Sequence, residues 1–258
     1  MKRFMVALEF LTVFKLRRNP SVISTGELSA SMAVFPLVGA LQGLILAVSA
    51  WGLGFILPWG AVAALVVLIG ILTNGGLHLD GLSDTIDGLA GGNTPEERLR
   101  IMRDSSVGAL GAAAVALVLI IKYSALREVP EGFRLSAVFL MPVAGRWAVV
   151  PMACLAGPAR RDGGLGSLFA ANSAGVTATA TILAAILFYF AFGGMLLSTL
   201  SVLLIIGLTV YMFTMFFKRK LGGVTGDVFG FQSEIAEVLF MLVFLAFERH
   251  EFLGGIFS

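Results

Sequence analysis

Charge is what this sequence has least of. Asp, Glu, Lys and Arg make up 13% of its 258 residues, against 58% hydrophobic residues and a mean hydropathy of +0.94. A soluble globular domain usually carries about 25% charged residues. The deficit is uneven, because residues 28–79 and 163–217 contain none of the four. This pattern excludes a water-soluble chain. A span needs about 20 apolar residues, so each tract holds two spans and a short turn. Pro58-Trp59-Gly60 punctuates the first tract and Gly193-Gly194 the second.

Cysteine is nearly absent too. Cys154 stands alone in an apolar span, which excludes an intrachain disulfide, and no Cys/His cluster has zinc spacing. No internal repeat, low-complexity tract or linker is visible, so residues 1–258 read as a single domain. The missing repeat also weakens a transporter reading. The N-terminal apolar run Phe4–Phe14 is broken by Glu9 and lacks a small-residue cleavage site, unlike a signal peptide. Lys2, Arg3, Lys15, Arg17 and Arg18 flank it. That suits either an interfacial helix or a short lead-in helix packed on the bundle.

The expected fold is all-α: a polytopic membrane bundle of about seven transmembrane helices plus the N-terminal interfacial helix. The spans read as 30–57, 60–77, 107–126, 135–156, 174–192, 197–217 and 234–250, the first kinked at Pro36 or beginning near it. Polar loops 78–106, 157–173 and 218–233 then share one face with the N-terminus. That face carries thirteen Lys and Arg, against four on the other: Lys122, Arg127, Arg134 and Arg249. The positive-inside rule makes the loop face cytoplasmic.

The acids break the silence of the first tract. Asp80, Asp84 and Asp87 follow 52 uncharged residues, in Gly-Gly-Leu-His-Leu-Asp-Gly-Leu-Ser-Asp-Thr-Ile-Asp-Gly, residues 75–88. At about 100° per residue their spacing keeps all three within about 60° of one helix face. Such carboxylates repel one another unless a cation or basic partners lie between them, which makes the cluster a candidate hard-metal site. His78 beside them is a candidate ligand or base, or a structural cap.

Downstream, Thr94-Pro95-Glu96-Glu97 reads as a capping box opening a short helix that carries Arg98, Arg100 and Arg103. Acids followed by arginines suit a phosphate-bearing substrate, the acids holding a bridging divalent cation and the guanidiniums the remaining charge. Arg98 and Arg100 also suit a surface anchor paired with Glu96 and Glu97. Arg103-Asp104, nearer the span mouth, is the stronger functional pair. Arg146, in an apolar span, must meet an anion, either a carboxylate or a substrate phosphate, since burying it alone costs about 2.5–3.5 kcal/mol on insertion scales. Arg160-Arg161-Asp162-Gly163-Gly164 and Leu221-Gly222-Gly223-Val224-Thr225-Gly226-Asp227 are glycine-rich loops whose backbone can approach an anion. Glu234 and Glu237 share a face of the last span, which leaves open a structural pairing with Arg146 or Lys220.

Together these blocks resemble the cobalamin synthase (adenosylcobinamide-GDP ribazoletransferase) family. The resemblance is carried by Phe35-Pro36-Leu37-Val38-Gly39, residues 75–88, Met102-Arg103-Asp104-Ser105, Gly145-Arg146-Trp147 and residues 221–227, in the family's order over nearly the whole chain. Ser83 stands where the family often has Ala, and Ser106 where a basic residue is commoner. The resemblance implies a Mg²⁺-dependent transferase of a bacterial inner membrane, multi-pass, with cytoplasmic active-site loops. In that reaction the hydroxyl of α-ribazole, or of its 5′-phosphate, attacks the cobinamide-side phosphate of adenosylcobinamide-GDP and releases GMP. On this reading Asp80, Asp84 and Asp87 are the metal ligands, and Asp84, His78, Arg103 and Arg146 the catalytic residues. Substrate binding falls to Arg103, Asp104, Arg146, Arg160, Gly222, Gly223, Thr225, Asp227 and Glu234. The expected partners are the bilayer and these small molecules, not nucleic acid, and a homo-oligomer is allowed.

Two rival classes remain. A CDP-alcohol phosphotransferase would carry Ala-Arg soon after the first Asp-Gly and a later Gly-x3-Asp-x3-Asp, whereas Gly81 is followed by Leu-Ser-Asp. An ion or solute transporter would place its charges nearer the bilayer midplane than the clustered aspartates lie.

Overall fold

The computed structural model describes residues 2–15, 24–159 and 173–249, which are helical apart from short turns and one isolated bridge. In chain order the helices are α1 Lys2–Leu11, α2 Thr25–Ser31, α3 Phe35–Leu53, α4 Trp59–Asn74, α5 Leu77–Gly91, α6 Pro95–Ile101, α7 Ala109–Glu128, α8 Arg134–Ala156, α9 Ala174–Ala191, α10 Leu196–Leu221 and α11 Gly226–Arg249. Six helical stretches are long and apolar enough to cross a membrane, or seven if the bent pair α4–α5 is one span. The chain is a multi-pass membrane bundle.

Several helices start where the sequence provides a start. Ser24 and Glu27 form a reciprocal capping box at α2, and a single 3-10 turn, Met32–Val34, joins α2 to α3. Pro36 sits in the first turn of α3, where its missing N–H has no helical partner to lose. The box expected at Thr94 is present: Thr94 Oγ1 accepts from Glu97 N at 3.2 Å, and Glu97 Oε2 accepts from Thr94 N at 3.3 Å and Asn93 N at 2.8 Å. Those backbone bonds hold the Glu97 carboxyl below its ordinary range. The ten-residue α1 is too short to span. It packs Val6, Ala7, Leu8 and Leu11 inward and leaves Lys2 and Arg3 exposed.

The second span departs from expectation. Residues 60–77 do not run straight, and 78–91 are not a loop. Gly75 and Gly76 both adopt left-handed backbone, φ 65° and 75°, a conformation other residues enter only with strain. They end α4 and redirect the chain by 88° into α5. α5 then runs back alongside α7 and α11 in the opposite sense to both. Its Asp87 meets Gly108 and Gly111 at the start of α7. Gly81 abuts Asp227 at the start of α11, and the His78 backbone abuts Gly230 one turn further on. α4 and α5 thus form a sharply bent pair, a broken span or a re-entrant hairpin, in place of the straight span and loop expected.

α8 forms the axis of the bundle and is buried along nearly all its length. α3 crosses it closely because Gly39 and Gly43, four apart, present no side chain. A β-carbon at either would collide with the backbone of Pro142 or Phe139. α9 and α10 form the outer wall, with Ile182, Ile186, Phe190, Leu204 and Met212 outward.

Within this bundle four charges neutralise one another. Lys122 Nζ donates to Glu234 Oε2 at 2.6 Å and to Glu237 Oε2 at 2.5 Å. Arg146, fully buried, donates to Glu237 and Gln42, and to Ser233 Oγ at 3.1 Å. Gln42 in turn donates to Gly70 O at 3.1 Å and Thr73 Oγ1 at 2.7 Å. The chain of contacts joins α3, α4, α7, α8 and α11. It corrects the assignment of Lys122 to the far membrane face, since this lysine is only 5% exposed. Removing it leaves three cationic residues on that side, so the charge asymmetry grows.

Two stability predictions follow from this packing. Gly43→Val should lower the melting temperature in detergent by several degrees, consistent with about 1–3 kcal/mol of overpacking. Gly52→Ala, with open space around its α-carbon, should not, and equal melting of the two variants refutes the close-approach account. Lys122→Met strands two buried carboxylates on one guanidinium and should cost about 3–5 kcal/mol in reversible detergent unfolding. Lys122→Met with Glu234→Gln should recover much of that loss.

Candidate active site

α5 carries the acids on one helical face, as its spacing requires, but they do not share one fate. Asp87 turns to α7: its Oδ2 accepts from Gly108 N and its Oδ1 from Gly111 N, both at 2.8 Å. A carboxylate at a helix N-terminus satisfies orphan N–H groups and complements the dipole. Gly108 and Gly111 leave room for it, since a β-carbon on either would strike the Asp87 carboxylate. Both Asp87 oxygens are therefore engaged structurally, where the sequence pattern suggests a third metal ligand.

Asp227 approaches the same acids from α11. Thr225 Oγ1 accepts from Val228 N at 3.3 Å, capping α11, and donates to Asp227 Oδ2 at 3.1 Å. The close contact of Gly81 with the Asp227 backbone brings this first turn of α11 against α5. Partly buried Asp84 consequently feels the charges of Asp80, Asp227 and Asp87. Among the described residues no three His, Cys, Asp or Glu side chains converge tightly enough to cage a metal by themselves. Mg²⁺ does not need such a cage, because it usually takes one or two carboxylates and completes its shell with phosphate oxygens and water. Asp80 and Asp84, four apart on one face, fit that requirement.

Two cavities flank the N-terminal half of α5 and meet at Asp80. One, about 60 Å³, lies toward α1 and α11 and is lined by His78, Asp80, Asp227, Phe35 and Val149 among others. The other is an open groove of about 980 Å³ toward α7. His78 is buried with its Nδ1 unpartnered.

The remaining sequence candidates are distributed unevenly. Arg103 and Asp104 lie exposed in the turn between α6 and α7. Asp104 Oδ1 accepts from Ser106 N at 2.9 Å and Ser106 Oγ at 2.7 Å, bonds that hold its carboxyl below the usual range. Arg98 donates to the Lys220 carbonyl at 3.0 Å, tying α6 to the end of α10. Arg160 lies outside the described residues.

Gly222 and Gly223 have structural reasons to be glycine. Gly222 ends α10 at φ 78°. Gly223 passes so close to residues 157–159 that a β-carbon would sit 2.6 Å from Ala159 N, beside the bridge between Pro158 and Val224. Arg146 and Glu234 belong to the buried ion network. The carboxylate alternative for Arg146 is the one observed, and its guanidinium is enclosed by Glu237, Ser233 and Gln42 rather than directed at the aspartates. Lys122 was missed as the partner of Glu234 and Glu237. The available signal was a lone lysine in an apolar span facing two unpaired acids.

Comparison with known proteins identifies the family. The family model for cobalamin-5-phosphate synthase matches residues 3–245. Among curated proteins, an adenosylcobinamide-GDP ribazoletransferase of Syntrophobacter fumaroxidans is 38% identical over 92% of this chain and 96% of its own. One of Roseiflexus sp. is 38% identical over 90% and 85%, and one of Desulforamulus reducens 36% over 92% and 94%. No solved structure gives a significant match. With a family match across almost the whole length and relatives of this identity, the chain belongs to the cobalamin-5-phosphate synthase family.

Proposed function

We propose that this enzyme joins α-ribazole, or its 5′-phosphate, to adenosylcobinamide-GDP and releases GMP, with Mg²⁺ as its cofactor. The observation that carries the reading is the corner where α5 meets α11. Asp80 and Asp84 are presented there on one face, Asp227 is brought across by the capped start of α11, and cavities open on both sides of Asp80.

In the reaction the acceptor hydroxyl oxygen forms a bond to the cobinamide-side phosphorus while the bond from that phosphorus to the oxygen of the departing GMP breaks. Asp80 and Asp84 would hold Mg²⁺, whose charge, when bound, neutralises the diphosphate and the departing GMP. Arg103, exposed five residues before the capped Gly108, binds non-bridging phosphate oxygens. A carboxylate of the cluster, or His78, whose Nδ1 is unpartnered in the cavity shared with Asp80 and Asp227, receives the proton from the attacking hydroxyl. Thr225 acts as a positioning residue by orienting Asp227. The surplus of Lys and Arg on the loop side supports a cytoplasmic site at a bacterial inner membrane.

Purified protein in nanodiscs, given both substrates and Mg²⁺, should release GMP stoichiometrically with product. Failure to do so at every substrate and metal concentration ends the proposal. Asp84→Asn should reduce turnover by at least a hundredfold at every Mg²⁺ concentration without lowering the melting temperature. Asp87→Asn should show the opposite division. It loses part of the α7 cap, worth about 0.5–2 kcal/mol, and so melts earlier while keeping the wild-type Mg²⁺ dependence. An Asp87→Asn protein of unchanged stability but altered metal dependence would return Asp87 to the metal site.

A further inference from the structure

We infer that the groove between α5 and α7 is the binding site of the acceptor nucleoside. This rests on the transferase reading above and deepens it.

The groove's size, about 980 Å³, lies at the upper end of the range for a small-molecule pocket. Its composition is polarised. Leu77, Val107, Val115 and Leu119, with Ala112 and Ala116, give an apolar surface, while Asp80 and Ser83 supply the polar groups. Ser83 is 4% exposed and its hydroxyl has no partner, although a buried hydroxyl normally finds one. A ligand with a flat apolar part and a hydroxylated part satisfies both ends. An aromatic-base ribonucleoside has that form: its base would lie on the α7 surface and its sugar would face Ser83 and Asp80.

Phe10, Leu77 and Asp80 also line the small cavity toward α11, which adds Asp227 and His78, so a sugar hydroxyl facing Asp80 would lie at the edge of the carboxylate cluster.

The test narrows the groove without touching the packed core. Ala112 and Ala116 are exposed in the bundle, so a larger side chain at either projects into open space. Ala116→Phe and Ala112→Phe, in nanodiscs with Mg²⁺, should each raise the KM for α-ribazole at least tenfold and leave the KM for adenosylcobinamide-GDP within twofold. Leu117→Phe, on the outward face of the same helix, serves as the control and should alter neither. Equilibrium dialysis of radiolabelled α-ribazole without donor should show the same loss for the two groove variants, independent of turnover. If wild-type protein releases GMP but the groove variants bind α-ribazole normally, the groove holds lipid and the inference falls. A selective rise in donor KM would overturn it by giving the groove to the donor. If wild-type protein releases no GMP at all, the transferase reading itself fails first.

Discussion

The bundle depends on the mutual neutralisation of Lys122, Arg146, Glu234 and Glu237. Two cations and two anions are enclosed among apolar helices, and each is bonded to a charge of opposite sign. A buried ion pair adds little net stability compared with well-packed apolar residues, but removing one member is expensive. The network therefore works chiefly as a register pin. It fixes α7, α8 and α11 against one another, and through Gln42 it reaches Gly70 and Thr73 just before the break between α4 and α5. The rotation of α11 that places Glu237 on Lys122 and Arg146 also sets where Asp227, almost three turns earlier, meets α5.

At the site the problem is the reverse, an excess of negative charge. Asp80, Asp84, Asp87 and Asp227 repel one another, yet the fold aims the positive ends of three helix dipoles into the cluster. Asp87 receives the first N–H groups of α7, Asp227 lies in the first turn of α11 and Asp80 in the first turn of α5. These partial charges offset part of the repulsion and leave Asp84 the least compensated of the four. The residual negative charge sits where a cation and a diphosphate would enter together.

Much of this was legible in the sequence. The uncharged tracts located the membrane helices, the Thr94 box located α6, and the ordered motif blocks pointed to the family that the relatives establish. The break after Asn74 was harder to read. Residues 77–91 are polar enough to pass for a loop, and Gly75-Gly76 signals an end without saying whether helix resumes beyond it. Nor does spacing reveal which carboxylate of a like-charged row will be captured by a helix start 21 residues downstream. Arg146 and Glu234 were attractive as substrate contacts because intramembrane charges so often serve ligands. Lys122 changes that balance: a lone lysine in an apolar span was the signal, but which acids it meets across α7 and α11 is decided by the folded bundle.

The right-angled break has a mechanical consequence for the surrounding lipid. With α4 and α5 inclined 88° to each other, only one of them can lie along the membrane normal, and 15 or 16 residues of helix extend about 22–24 Å. A hydrocarbon layer is about 30 Å thick. Acyl chains beside this part of the protein must shorten or splay to meet it, at a fraction of a kcal/mol for each ångström of mismatch. Any such cost falls where α3, α7 and α11 do not already pack against the two halves of the break.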